Sequence, residues 1–185
     1  MGTIQDAIKN ANVGDYVKFG NYPQTANGNI QPIEWQVLAK EENKMLVISK
    51  YGLEARRFNG SSSDWINSEI RKWLNGEFYN ETFDENEKIY IEPFETFSGV
   101  LDNIFLLSKE EAEKYFVNDE ARKCKATEYA VKNGAWVNSN DFSFWCLSSP
   151  CNVNFVYCVS SFGTIYFRYI CNDGSIFRPA LWINL

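Results

Sequence analysis

The sequence predicts a single α+β domain spanning residues 1–185. Three observations predict it. The chain has 185 residues, 45% of them hydrophobic and 16% aromatic, enough to bury one sizeable core and too apolar for a disordered chain. Strand-like runs come first, helix-spaced runs follow, and strand-like runs return at the end, the order of an α+β domain whose last strands complete a sheet. No linker and no internal repeat divides the chain.

Taken in order, residues 3–11 place Ile4, Ala7, Ile8 and Ala11 on one face of a short helix, which Gly14-Asp15 breaks. Tyr16 to Phe19 reads as a strand ended by Gly20 and Pro23, and Gly28 and Pro32 bound a polar loop. Ile33 to Leu38 alternates as a strand, Glu41-Glu42-Asn43 turns, and Lys44 to Lys50 returns as its hairpin partner. The polar loop Ser61 to Asp64 caps a helix carrying Trp65, Ile66, Ile70, Trp73 and Leu74, with Asn75-Gly76 as its stop. Phe78, Tyr79 and Phe83 continue the apolar face. Thr82 to Glu85 fits a capping box before a helix over Glu85 to Ile91. Ile104 to Leu107 reads as a short apolar strand. Ser108 to Glu111 is a second capping box, opening a helix to about Phe116. Ala126 to Lys132 reads as helix, stopped by Asn133-Gly134; Phe142 to Leu147 is extended and ends at Pro150. Strands around a turn near Gly163 follow, and Pro179 to Leu185 is an apolar strand expected to be buried.

The stretch Cys151 to Arg178 stands apart in composition. It holds no Lys, Glu, Gln, Met or Trp, although the rest of the chain holds 12 Lys and 16 Glu. Rings, three of the five cysteines, and Asn, Ser, Asp and Gly fill it. A core hairpin accounts for much of this, since β-branched and aromatic residues favour strands. Tyr166, Phe167, Arg168 and Tyr169 are consecutive, however, so these large side chains must face both sides of a strand. A surface of rings with small polar residues is also the composition of an adaptable binding site.

Composition excludes several functions. The net charge is -6 with no basic cluster, which argues against nucleic acid as partner. No histidine is present, which removes imidazole catalysis and imidazole metal sites. The five cysteines include no CxxC pair, and nothing marks one as an activated nucleophile. Asp141 and Asp173 have no calcium-loop signature and read as solvated loop residues. Trp65 and Trp73 read as the core face of a helix rather than a sugar platform, and Arg56-Arg57 and Arg71-Lys72 as solvated charge pairs. Nothing in the spacing brings Glu34 to Glu54 as an acid–base pair. Phosphate-cradling glycine loops and GxSxG are absent. No metal or cofactor is expected. The N-terminus lacks the apolar segment of a signal peptide, and no run is long enough to insert in a membrane, so a cytoplasmic setting at synthesis is expected, with display on a cell or phage surface left open.

Several blocks together resemble one bacterial and phage family. They are Gly14 to Gly20 with Tyr22-Pro23-Gln24, Ile33 to Leu38, Leu46 to Tyr51, Ser68 to Asn75 with Phe78-Tyr79, Phe105 to Ser108, and Arg178 to Leu185. That family is a domain of unknown function common in gut bacteria. It is similar to the C-type-lectin-fold variable proteins of diversity-generating retroelements, whose fold is akin to the formylglycine-generating enzyme. Trp145 to Cys151, WCLSSPC, departs from the family's WWLRSPG-like segment, which implies variation reaching back to about Ser148. The resemblance also implies a cause for the composition. Randomised adenines in the first two positions of Asn codons ending in a pyrimidine cannot yield Lys, Glu, Gln, Met or Trp.

The resemblance therefore implies a non-catalytic, ligand-binding C-type-lectin-like protein, not an enzyme, with a variable surface over about 148–178. Its ligand would be a protein or glycan. Phe155, Tyr157, Tyr166, Phe167 and Tyr169 would supply rings, with Tyr157, Tyr166, Phe167 and Tyr169 as anchors. Asn152, Asn154, Ser161, Asn172, Asp173 and Ser175 would supply hydrogen bonds, and Arg168 would pair with an acidic group. Val159, Ile165 and Ile170 are assigned inward. Two alternatives stand beside this one: an oxidase-like enzyme with two cysteines as a redox pair, and a structural or phage tail-tip module.

Overall fold

A computed structural model describes residues 8–97 and 99–185. Its framework is two five-stranded sheets, joined by one continuous hydrophobic core. The first sheet consists of β1 (Tyr16–Pro23), β2 (Ile30–Lys40), β3 (Lys44–Ser49), β14 (Ala180–Asn184) and β5 (Ile91–Glu92), adjacent in that order. The second consists of β12 (Ile165–Tyr169), β11 (Phe155–Val159), β10 (Trp145–Asn152), β13 (Ile176–Phe177) and β4 (Glu54–Ala55). Two small ribbons complete the strands, β6 (Phe94–Phe97) with β7 (Val100–Asp102), and β8 (Cys124–Lys125) with β9 (Phe142–Ser143).

The closing strand does what its apolar sequence predicts. β14 lies between β3 and β5, with Ala180 to Ile183 buried, so the end of the chain completes a sheet begun at its start. Just before it, Arg178 is 3% exposed, donates from Nε to the Ser49 carbonyl at 2.7 Å, and lies 5.2 Å from the ring centroids of Phe116 and Trp145.

The N-terminal helix prediction falls mainly on Ile4 and Ala7, outside the described residues; residues 8–10 are helical, and Ile8 and Ala11 are buried. Gly20 does not end β1. A bulge between Lys18 and Asn21 absorbs it, and pairing continues to Pro23. The helix predicted from Trp65 begins at Glu69, because Ser68 supplies the cap: its side chain accepts from the Arg71 amide. Asn75-Gly76 does not stop that helix either. It widens into a π turn over Leu74–Phe78 and continues as Tyr79–Thr82. Asn75 explains the continuation, since its amide nitrogen donates to the Arg71 and Ile104 carbonyls while its oxygen accepts from Asn103 and Ile104. Its side chain ties the helix sideways to the Ile104 segment, where a C-terminal stop would have turned the chain away.

The next helix is Glu85–Lys88, capped by Asp84 with Glu87 rather than by Thr82 with Glu85. The Ser108–Glu111 box forms as predicted and opens Lys109–Tyr115. Ile104 to Leu107 makes only an isolated bridge, Phe105 to Ala180. Asp119–Arg122 is helical without having been predicted, and the helix expected from Ala126 starts at Glu128 behind its Thr127 cap. Arg71 is not a solvated charge. Its Nε donates at 2.7 Å to Asp102, whose carboxylate is fully buried and also accepts the Trp65 indole N–H. Pro150 does not end β10, which carries it between two register shifts opposite Val156, where no ladder donor is required of it.

Candidate functional site

The Cys151 to Arg178 stretch forms the outer part of the second sheet. β11 and β12 pair as an antiparallel hairpin, with Phe155 opposite Tyr169, Tyr157 opposite Phe167, and Val159 opposite Ile165. β12 pairs with β11 alone among the described residues, so it is an edge strand. Burial divides the hairpin into residues that are held and residues that are shown, without strict alternation. Val156, Cys158, Val159 and Ile170 are buried, and Ile165 packs against the core from its margin. Tyr166, Phe167 and Tyr169 are 54%, 41% and 52% exposed.

The rings touch one another. Phe155 meets Phe167 and Tyr169 edge-on, with centroids 5.6 Å and 5.7 Å apart, and Tyr166 stacks on Phe167 at 4.6 Å. Lys109 lies 5.2 Å over the Tyr157 ring. Side chains that brace each other lose little freedom when a partner lands on them.

At the far end of the hairpin, the turn is anchored. The Ser160 amide donates to the Thr164 carbonyl at 2.8 Å, and the Gly163 carbonyl accepts from Arg122 Nε at 2.9 Å. Arg122 also binds Asp119, and its own carbonyl accepts the Trp145 indole N–H. The hairpin is therefore fixed to the framework at its turn and free along its edge.

The polar residues divide. Asn152 and Asn154 are exposed at the opposite tip, although Asn152 spends its side-chain oxygen on the Asn154 amide. Asn172 likewise accepts from the Gly174 amide, and Asp173 is exposed beside Arg56 and Arg57. Ser161 and Ser175 are each 1% exposed and present nothing to solvent; Ser161 lies in the turn after β11, and Ser175 directly precedes buried Ile176 and Phe177. Arg168 does not extend outward as expected. Its guanidinium lies 4.2 Å from the Phe144 ring centroid, with Nη1 buried and unpartnered.

Three features escaped the sequence reading. Phe162 and Val153 are 70% and 64% exposed at the two ends of the hairpin. Beyond Val153, a pocket of about 310 Å³ is lined by Ser148, Ser149, Pro150, Trp65 and Phe97. The change from the family's Arg to Ser148 was the pocket's one legible trace.

The other candidate groups stay apart. Asp141 faces Lys125 at 3.7 Å, while Asp173 faces the arginines. Glu34 pairs with Lys50 at 3.0 Å, and Glu54 accepts from Tyr22. Cys146 and Cys158 are cross-strand neighbours with free thiols. Burial pushes the Cys146 thiol up to about 11 and pushes Cys158 and Cys124 upward as well. No group of three or more His, Cys, Asp or Glu among the described residues is placed to hold a metal, and no described helix is long and apolar enough to cross a membrane.

Fold and site define an α+β domain that carries a hairpin of exposed rings on a packed framework. Residues 42–185 match the model of a domain of unknown function, DUF6273, and the chain belongs to that family. No curated protein and no solved structure matches it.

Proposed function

We propose that this protein is a non-catalytic binder with a C-type-lectin-like fold of the formylglycine-generating-enzyme type, whose surface over about residues 148–178 is diversified by a retroelement. One observation carries the reading. The stretch that lacks Lys, Glu, Gln, Met and Trp is also the stretch whose rings Tyr166, Phe167 and Tyr169 stand exposed on an edge strand. Its exposed positions can change without touching the core, while Val156, Val159 and Ile170 hold the register beneath them.

The test is to sequence this gene across a population of its host and to search the flanking DNA for a near-copy of its 3′ end. Substitutions are expected at the codons of exposed residues, such as Asn152, Asn154, Tyr166, Phe167 and Tyr169, at adenines of that near-copy. Codons for Val159, Gly163, Ile170 and Ser175 should be invariant. Uniform codons with no near-copy would remove the diversification claim.

A redox enzyme is the second reading, favoured by the cross-strand neighbours Cys146 and Cys158. A thiol needs its thiolate to react, and burial disfavours that form at both positions. Labelling of the native protein with a maleimide is expected to reach only Cys151 and Cys171, which are half-buried, until denaturant is added. Rapid native labelling of Cys146 or Cys158 would revive the enzyme.

A further inference from the structure

The two main sheets have four outer strands, and three of them are guarded. β4 and β5 are two residues long, too short to template a further strand. β1 is eight residues long, but a bulge between Lys18 and Asn21 breaks its register and Pro23 closes it. β12 has none of these devices. It runs five residues, Ile165–Tyr169, pairs with β11 in unbroken register, and contains no Pro and no Lys. Its one charged side chain, Arg168, is drawn over the Phe144 ring.

The groups along that open edge follow from the ladder. The Ser160 amide donates to the Thr164 carbonyl at one end, and the Ile170 amide donates to the Asn154 carbonyl at the other. Hydrogen-bonded pairs recur at every second position of an antiparallel ladder. Cys158 with Tyr166 and Val156 with Arg168 are therefore the bonded pairs between those ends. The backbone of Ile165, Phe167 and Tyr169 faces away from β11. The Tyr169 carbonyl accepts from the Asn172 amide. The N–H groups of all three residues, and the carbonyls of Ile165 and Phe167, have no partner among the described residues. Successive outward N–H groups lie two residues apart, about 6.6–6.8 Å. An extended chain presents its own C=O and N–H groups at the same repeat.

The geometry points to strand addition: an extended segment of a protein ligand pairs with the open edge of β12. Strand addition rests on the reading of the hairpin as the ligand surface, and it selects protein over glycan, the choice left open there. It also gives the two parts of the hairpin different tasks. Backbone groups, the same whatever the codons, hold any extended segment, while Tyr166, Phe167 and Tyr169 select among segments. A surface whose side chains vary can then change its specificity and keep the backbone contribution to affinity. A second copy of this chain is a poorer occupant, since two copies of net charge -6 repel.

The probe is a linear peptide selected on the unaltered full chain from a displayed random library. Amide hydrogen exchange, followed by NMR, is the first readout. In the free protein the Phe167 amide is expected to exchange at least about tenfold faster than those of Tyr166 and Arg168, and saturating peptide is expected to remove that difference. Phe167→Pro and Phe167→Ala separate backbone from ring. Both remove the ring, but only proline removes the outward N–H and blocks the edge, without taking a bond from the β11 ladder. The proline variant is expected to bind the peptide at least about tenfold more weakly than the alanine variant. Should Phe167→Pro not fold, the peptide decides. Methylating its backbone nitrogens at alternate residues is expected to weaken binding at least about tenfold in one phase and to leave it unchanged in the other. A library that yields no binding peptide, a bound peptide that leaves the Phe167 amide unprotected, equal binding by the proline and alanine variants, or equal effects of the two methylation phases overturns the proposal. A dimer that protects the Phe167 amide without peptide puts a second copy on the edge and also overturns it. Glycans that bind and are lost in the triple alanine variant at Tyr166, Phe167 and Tyr169 would leave the hairpin as the ligand surface and remove strand addition alone. Uniform codons beside a peptide-protected Phe167 amide would remove diversification alone and support strand addition.

Discussion

Gly163→Ala is expected to destabilise the fold by about 4 kcal/mol or more, an unusually large effect for one added methyl. For a domain of this size that corresponds to a fall in Tm of roughly 8–16 °C. Two costs add. The backbone at Gly163 has φ +87°, a region that side-chain-bearing residues enter only with strain. A Cβ there would also lie 1.7 Å from the Asp119 carbonyl oxygen and 2.4 Å from its carbon. Both obstacles are backbone, so no rotamer change relieves them. Either the turn lifts away or the Asp119–Arg122 helix shifts. Lifting breaks the Arg122 hydrogen bond to the Gly163 carbonyl, and shifting disturbs the Arg122 carbonyl that holds fully buried Trp145. Gly134→Ala is the control. Gly134 has φ +104° but nothing within 4 Å of its would-be Cβ, so only the backbone cost of about 1–2 kcal/mol applies. Urea unfolding of both variants checks the argument. Equal losses at the two positions would mean that the turn is not clamped against Asp119.

That clamp was only half legible in the sequence. A turn near Gly163 could be read from local composition, because glycine and small polar residues mark turns whatever they pack against. Its docking onto Asp119 could not, since it joins segments distant in sequence. The same division runs through the molecule. Ser108 with Glu111 is a local signature and formed where expected, and Ala180 to Asn184 was apolar enough to read as buried. Asn75-Gly76 carried an equally local stop signal, which the bonds from Asn75 to the Ile104 segment overrode. Arg71 looked like a surface charge until the fold brought buried Asp102 to it. In the hairpin, Val159 and Ile170 were assigned inward as its apolar positions, and they are buried. Ser161 and Ser175 lie outside β11, β12 and β13, where alternation gives no guidance, and there the polar type misled.

The hairpin rings separate a binding surface from a core strand by a pair of variants. The triple alanine change at Tyr166, Phe167 and Tyr169 is expected to weaken a selected ligand by at least about 2 kcal/mol, or about thirtyfold, since exposed, mutually braced rings are the side chains that dominate interfaces. Its effect on folding should stay near 1 kcal/mol, because each ring is already 41% exposed or more and packs chiefly against Phe155 and the other rings of the set. Ile170→Ala is the inverse case. Ile170 is 2% exposed, its amide donates to the Asn154 carbonyl at 3.0 Å, and removing its side chain leaves a void worth about 2–5 kcal/mol. It should lower Tm strongly while the folded fraction binds as before. Ligands selected on the unaltered protein from a displayed peptide library and from a glycan array supply the binding measurement, and thermal melts supply the other axis. A triple variant that melts as early as Ile170→Ala would make the rings structural. One that keeps full affinity would place the ligand elsewhere, with the pocket beneath Ser148, Ser149 and Pro150 as the next surface to alter.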